Sequence, residues 1–413
     1  MTNEVKNVPE IRFPEFSGEW EENKLNNYLK TSKIKNTQKK YNKQDVLSVS
    51  GDFGIVNQIE FQGRSFAGTS VAPYGIVETG DIVYTKSPLK SSPYGIIKVN
   101  KGESGIVSTL YAIYKIKKNV DANFVEDYFT NDLRLNKYLK PLVNKGAKNE
   151  MQVSDDNALI GDVIFPKYIE EQIKISKFFS KLDRQIELEE QKLEKLEEQK
   201  KGYMQNIFAQ KLYFKDENGN KYPDWTIKKL NEVFEVSKQR NTNNEYSHKD
   251  VLSVSREHGV INQIKYHGRS YAAKTVENYK IVKPHDLIYT KSPLKGAPYG
   301  IFKVTTEEGI ISPLYAVYTS LNENITDFVS YYFEFNNITT HYLSKLVSKG
   351  AKNTINVTDE MALTGKILLP NSEKEVTQIV NFFNEIRELI MKQRNKIEGL
   401  KMRKQGFLQK MFV

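Results

Sequence analysis

Short apolar runs, each closed by glycine or proline, alternate with polar turns through the first part of the chain. Asp45 to Ser50, Ile55 to Phe61, Asp81 to Tyr84, Tyr94 to Val99 and Leu110 to Ile116 have the length and alternation of strands. Turn residues separate them: Gly54, Gly63, Gly75, Gly80, Pro88, Pro93, Gly95, Gly102 and Gly105. The period then changes. Asn123 to Leu142 brings Phe124, Tyr128, Phe129, Leu133 and Leu135 within reach of one helical face. A glycine-containing loop, Asn144 to Asn149, leads to a short strand ending at Val163-Ile-Phe165-Pro166. From about Ile169 to Gln210 the apolar positions step by three and four, through Leu182, Ile186, Leu193, Leu196, Tyr203 and Ile207. The intervening residues are mostly Glu, Lys, Gln and Arg, and no proline interrupts them, so a helix of about 60 Å is expected.

The whole pattern then recurs after about 205 residues. Val46-Leu-Ser-Val-Ser50 returns as Val251 to Ser255, and Gly63-Arg-Ser65 as Gly268 to Ser270. Tyr84-Thr-Lys-Ser-Pro-Leu-Lys90 returns unchanged as Tyr289 to Lys295, followed by Pro93-Tyr-Gly-Ile96 and Pro298 to Ile301. Lys145-Gly-Ala-Lys-Asn149 returns as Lys349 to Asn353. Such a period is far longer than a solenoid repeat and marks a duplicated domain. The second long helix is expected from about Glu373 to Phe412, with Ile386, Ile390, Ile397, Leu400, Phe407 and Met411 on its seam. Polar breaks at Glu189 and Lys200 in one helix fall in register with Gln393 and Lys404 in the other.

The pattern predicts an α+β fold. Two similar mixed domains, 1–167 and 211–371, would be separated by two long helices, 168–210 and 372–413, with 211–224 as a linker inside the second domain. The simplest packing of the helices is an antiparallel coiled coil with a pseudo-two-fold relation. The competing packing lays each helix on its own domain. Trp20 and Trp225 open the two copies equivalently and are expected to be core anchors.

Charge narrows the partner. Lys and Arg outnumber Asp and Glu, 61 to 51, for a net charge of +10 and a pI near 9.1, which favours nucleic acid first and a membrane surface second. The absence of cysteine excludes disulfides and Cys-based zinc sites and fits a reducing compartment. The start of the chain has no signal-peptide core, and no apolar run approaches the roughly 20 residues of a membrane span, so a soluble cytoplasmic protein is expected.

Catalytic motifs are missing. No phosphate-binding P-loop, dinucleotide Gly-x-Gly-x-x-Gly or Asn/Asp-Pro-Pro-Tyr/Phe occurs. The five histidines, His248, His258, His267, His285 and His341, all lie in the second copy without close pairing, so no shared metal site is expected. Ser87 and Ser292 have no histidine nearby to act as base. An enzyme is the weaker reading.

The repeated loops suit DNA instead. Lys86, Ser87, Lys90 and Tyr94, matched by Lys291, Ser292, Lys295 and Tyr299, offer charge and donors to phosphate or guanine, and a ring to sugar or methyl groups. Arg64 and Arg269, each after a glycine, suit a fork onto guanine or a phosphate clamp. Asn57-Gln58 and Asn262-Gln263 suit adenine, although an alternating strand turns one of each pair inward. Lys145, Lys148 and Asn149, with Lys349, Lys352 and Asn353, form a second basic loop. The bland alternative is that these are turn residues shared because the copies share a fold.

Over nearly its whole length the chain resembles the specificity subunit of type I restriction–modification enzymes. The resemblance rests on Arg12-Phe-Pro-Glu-Phe16 to Trp20, on Tyr222-Pro-Asp-Trp225, and on helix residues Glu170-Glu-Gln172-Ile173, Phe178-Phe179, Leu182-Asp183, Lys200-Lys-Gly202 and Gln205-Asn-Ile-Phe208. The second helix repeats Glu375, Phe382-Phe383, Lys404-Gln-Gly406 and Gln409-Lys-Met-Phe412. It departs in reading Lys374-Glu-Val376 for the Glu-Glu-Gln triplet, and Arg387 for Asp183. The resemblance implies two target recognition domains, each reading half of a bipartite site, and spacer helices that fix the gap and dock two modification subunits. Those subunits would methylate adenine with S-adenosylmethionine, and restriction subunits would add translocation and cleavage driven by ATP with Mg. This chain would supply no catalytic residue and hold no cofactor. A DNA-binding scaffold or regulator outside restriction–modification is the alternative.

More than half of the aligned positions from Val46 to Val99 are identical between copies, which predicts a near-palindromic target. The differences Gly51/Arg256, Glu60/Lys265, Gln62/His267 and Ser91-Ser92/Gly296-Ala297 are where one or two bases would diverge.

Overall fold

Leu29–Thr31, Tyr111–Ile116, Ile82–Thr85 and Ile97–Val99 form, in that order, a four-stranded antiparallel sheet. Beside it a hairpin pairs Leu47–Ser50 with Gly54–Asn57, and Gly75–Val77 pairs with Gly105–Val107. A computed structural model describes residues 7–88, 92–117, 119–145, 151–320, 322–349 and 355–413 of the chain. It divides into two units, Met1–Gln191 with Arg394–Val413, and Lys192–Gln393.

The second unit builds the same elements in the same order. Glu235–Val236, Ala316–Thr319, Leu287–Tyr289 and Phe302–Val304 form one sheet. Gly259–Asn262, Val251–Ser255, Gly309–Ile311 and Lys280–Val282 form the other, in which Val251–Ser255 runs parallel to Gly309–Ile311. In each unit a strand just after the tryptophan pairs with the strand that precedes a long helix: Glu21–Lys24 with Asp162–Phe165, and Thr226–Lys229 with Lys366–Leu369.

Two predicted elements differ. The run Ile55 to Phe61 is not one strand: Gly54–Asn57 is extended and Gln58–Gln62 is helical. The Asn57 side chain accepts from the Ile59 and Glu60 amides, which starts a helix inside an apolar run that otherwise reads as β. The helical stretch Asn123 to Leu142 is two helices, Ala122–Thr130 and Asp132–Leu139. Asn131 stands extended between them and caps the Arg134 amide.

The long helices span Ile169–Phe208 and Glu373–Lys410. In the first unit Lys404 pairs with Asp183 and Lys396 with Glu189, so these helix segments run antiparallel. Leu408, Met411 and Phe412 of the second helix and its end complete the first core, where Phe412 lies 5.8 Å from Phe179 and 5.5 Å from Phe124. In the second unit Phe208 stacks 6.1 Å from Phe383, and Tyr203 meets Phe382 edge-on at 5.2 Å. Each helix end is thus wedged among aromatic rings, a large buried apolar area that locks it in place.

Both tryptophans are anchors. Trp20 is buried in the first core and its indole donates to Glu171 at 3.2 Å. Trp225 packs partly buried against the second core, beside Phe328. No helix is long and apolar enough to cross a membrane among the described residues.

Candidate nucleic-acid interface

The hairpin and the short helix after it carry the first candidate group. Gln58 is fixed by its neighbours: its amide donates to Ser48 Oγ at 3.0 Å, and its oxygen accepts from the Phe66 amide at 2.6 Å. Asn57 caps the helix and donates to the Gln44 carbonyl. The second unit repeats these bonds through Asn262 and Gln263. Asn57, Gln58, Asn262 and Gln263 are therefore scaffold residues here. Their amides hold a turn in which Gly63 and Gly268 adopt φ of 74° and 73°, a left-handed conformation that suits glycine.

That turn presents an arginine. Arg64 is exposed with its guanidinium 4.5 Å from the Phe66 ring centroid, and Arg269 is exposed 4.7 Å from Tyr271. The attraction between cation and ring holds each guanidinium beside its aromatic neighbour on the exposed face of the turn. Around it lies a feature that strand patterning hides. Phe53 at the hairpin turn is 67% exposed and meets Phe61 at 5.3 Å, and Phe66 is 55% exposed. In the second unit His258, Tyr266, His267 and Tyr271 form a chain of ring contacts at 5.0, 4.8 and 5.5 Å. Three large rings exposed within 14 residues exceed what a solvent-facing turn requires. An excess of aromatics beside Gly-Arg-Ser was the available signal.

The repeated Tyr-Thr-Lys-Ser-Pro segment forms the second group. Tyr84 and Tyr289 are buried and donate to the Tyr94 and Tyr299 carbonyls, each at 2.7 Å, and burial pushes both phenols well above the ordinary tyrosine range. Thr85 and Thr290 accept from the Ile96 and Ile301 amides. These bonds pin the Pro-Tyr-Gly-Ile turn against the strand end that leads into Lys86 or Lys291. Tyr94 and Tyr299 are partly buried against the cores.

Lys86 and Lys291 are half-buried and ion-paired: Lys86 with Asp155 at 2.7 Å, and Lys291 with Asp359. Asp359 also takes the buried Lys280. Burial works to raise the Asp359 carboxyl, but the hydrogen bonds and charges of the two lysines outweigh it and hold it below the usual carboxylate range. Ser87 is half-buried, while Ser292 and Lys295 are exposed. Arg256 at the second hairpin turn donates to the Lys295 carbonyl, which ties this loop to the hairpin.

The third group is only partly visible. Lys145 and Lys349 lie in two-residue strands paired with Met151–Gln152 and Ile355–Asn356. Lys90, Lys148, Asn149, Lys352 and Asn353 fall outside the described residues. Among the described residues no three His, Cys, Asp or Glu side chains gather as a metal site would require.

No family model matches the chain. Solved structures do. The type I restriction–modification S subunit from M. genitalium matches with a TM-score of 0.57 over 98% of this chain and 99% of its own, at 9% identity. The chain has the fold of a type I restriction–modification S subunit. A second match has a TM-score of 0.51 at 15% identity, over 95% of this chain and 97% of its own. It comes from work on complex assembly and conformational transition of the type I R-M system. The S-subunit fold therefore extends over both units and both long helices.

Proposed function

We propose that this chain is the sequence-specific DNA-binding subunit of a type I restriction–modification complex. The observation that carries this reading is the repeated site. An S-subunit fold presents the same asparagine cap, glutamine clamp and aromatic-stacked arginine in each unit. Residues 1–167 and 211–371 are the two target recognition domains. Arg64, Lys86, Ser87, Lys90, Tyr94, Lys145, Lys148 and Asn149 face one half-site, and Arg269, Lys291, Ser292, Lys295, Tyr299, Lys349, Lys352 and Asn353 the other.

The helices 168–210 and 372–413 act as an antiparallel coiled-coil spacer. The pairing of Asp183 with Lys404 and of Tyr203 with Phe382 supports that arrangement. The spacer docks two modification subunits, which bring S-adenosylmethionine, and restriction subunits bring ATP and Mg. The chain itself is non-catalytic and works in the cytoplasm.

The two sites share their scaffold bonds, so the target is a near-palindrome. Divergence falls at Gly51/Arg256, Glu60/Lys265 and Gln62/His267. Co-expression with modification subunits followed by sequencing of methylated adenines tests both points. One bipartite motif with near-identical inverted halves is expected. Unrelated halves would sink the palindrome, and failure to co-purify with a methyltransferase would favour a scaffold or regulator outside restriction.

A further inference from the structure

The stretch 57–66 and its copy 262–271 divide into a shared frame and a face that differs. Asn57-Gln-Ile59 and Gly63-Arg-Ser65 return unchanged as Asn262-Gln-Ile264 and Gly268-Arg-Ser270. Between and after them, Glu60-Phe-Gln62 becomes Lys265-Tyr-His267, and Phe66 becomes Tyr271. The frame makes the bonds. Asn57 Oδ1 accepts from the Glu60 amide at 3.3 Å, and Asn262 Oδ1 from the Lys265 amide at 3.1 Å. The Gly63 and Gly268 amides donate to the Ile59 and Ile264 carbonyls at 2.7 and 2.8 Å. The backbone beneath Glu60 and Lys265 is therefore held alike in the two units.

The residues that change are all exposed. Each ring stays a ring, Phe61 and Phe66 becoming Tyr266 and Tyr271. Arg64 and Arg269 are exposed on the same turn and do not change. Within the stretch only the exchange of Glu60 for Lys265 reverses a charge. Neither the Glu60 carboxylate nor the Lys265 ammonium takes part in a hydrogen bond or ion pair among the described residues, so both are open to a ligand. A shared frame with one constant cation and one inverted charge suits two half-sites that are related but unequal.

We propose that Glu60 and Lys265 are specificity-determining residues: Glu60 accepts from the N4 amine of a cytosine, and Lys265 donates to O6 and N7 of a guanine at the matching position of the other half-site. The proposal rests on the DNA-reading function above. The chemistry of the two groups selects these bases. A carboxylate only accepts, and cytosine offers a donor in the major groove with no acceptor of its own beside it. An ammonium only donates, and guanine offers two acceptors and no donor there. Adenine presents a donor next to an acceptor, and thymine a methyl group next to its acceptor, so each suits the two side chains less well. Arg64 and Arg269 make the contact that the halves have in common.

The full-length chain is co-expressed with modification subunits, and methylated adenines are sequenced for the native chain, Glu60→Lys and Lys265→Glu. The native motif is expected to have inverted halves with cytosine in one where the other has guanine. Glu60→Lys should replace that cytosine by guanine, and Lys265→Glu should replace the guanine by cytosine, each at that position alone. Glu60→Gln keeps the side-chain length and gains a donor. In the purified complex it should lower the preference for cytosine about tenfold or more, read by binding to duplexes that differ only at that base pair. This second readout keeps the test valid if a charge reversal folds poorly. A native motif without the cytosine–guanine difference, an unchanged motif in both reversals, or an undiminished cytosine preference in Glu60→Gln would overturn the assignment. A native chain that directs no bipartite methylation would overturn the DNA-reading function itself, and the assignment with it.

Discussion

Lys280 and Asp359 form a buried ion pair in the second unit, and Gly75 stands where the first unit would need the lysine. The neighbouring core explains the exchange. A Cβ at Gly75 would overlap Cδ1 of Ile113, whereas the second unit has the smaller Val317 at the position of Ile113. Asp359 therefore balances two lysines, and Asp155 one.

Asp359→Asn should cost the second unit about 2–3 kcal/mol, because it leaves Lys280 charged and buried with no anionic partner. The sign with pH follows from the depressed carboxyl. Its contribution is fully present above the unfolded-chain value of about 3.9 and is lost as pH falls through its lower folded value. Protection of the Lys280–Val282 amides against hydrogen exchange, relative to the intrinsic rate at each pH, should fall on acidification below about pH 4 in the native chain, and much less in Asp359→Asn. Equal acid response in the two would remove this pair from the account.

Gly95 and Gly300 carry φ of +90°, and a Cβ on Gly95 would overlap the Thr85 carbonyl oxygen. On Gly300 it would come within 2.7 Å of Thr290 Oγ1. Alanine at either position should destabilise its unit by about 2–4 kcal/mol, adding a left-handed backbone to a clash. Urea unfolding measures this directly. Gly202→Ala, in open space on a helix, should be neutral or slightly stabilising and serves as the control.

The exchange of Asp183 for Arg387 between the helices also has a local cause. Asp183 bonds Lys404 in the first unit, near the buried carboxyls of Glu126 and Asp127. Burial, then Glu126, pushes Asp127 well up. Arg387 instead bonds Asn384 and lies 5.8 Å from the Tyr331 ring. Asp183→Arg should therefore weaken the first unit by up to about 1 kcal/mol, the scale of a half-exposed pair. Adding Lys404→Glu should recover part of it. A double-mutant cycle with no coupling would show that the pair is incidental.

How far residues alone disclosed this molecule depends on the range of the interaction. The repeat, the long helices and both tryptophan anchors were legible because periodicity and order are local properties. The helix Gln58–Gln62 was not, since one side-chain cap at Asn57 overrides an apolar run. Lys86 reads as a free loop cation until Asp155, 69 residues away, is placed against it. The exposed ring cluster at Phe53, Phe61 and Phe66 was hidden because aromatic residues in a strand pattern ordinarily point inward.

Arg64 and Arg269 offer the cleanest test of DNA contact, because each is exposed and stacked on a ring. Alanine at either should weaken binding and lower the slope of log K against log salt by about 0.9 for each phosphate contact removed. Lys86→Ala and Lys291→Ala should lower it by a similar amount only where the ammonium leaves its carboxylate for a phosphate. An unchanged slope there, with a lowered one at Arg64 and Arg269, would make the lysines part of the scaffold. Phe66→Ala and Tyr271→Ala separate the ring from the charge: loss of the stack should weaken binding while leaving the slope near its native value, since no counterion is released by an apolar contact. If instead those variants flatten the slope as much as the arginine variants do, the ring acts only by holding the guanidinium in place, and the exposed aromatic cluster makes no contact of its own with the duplex.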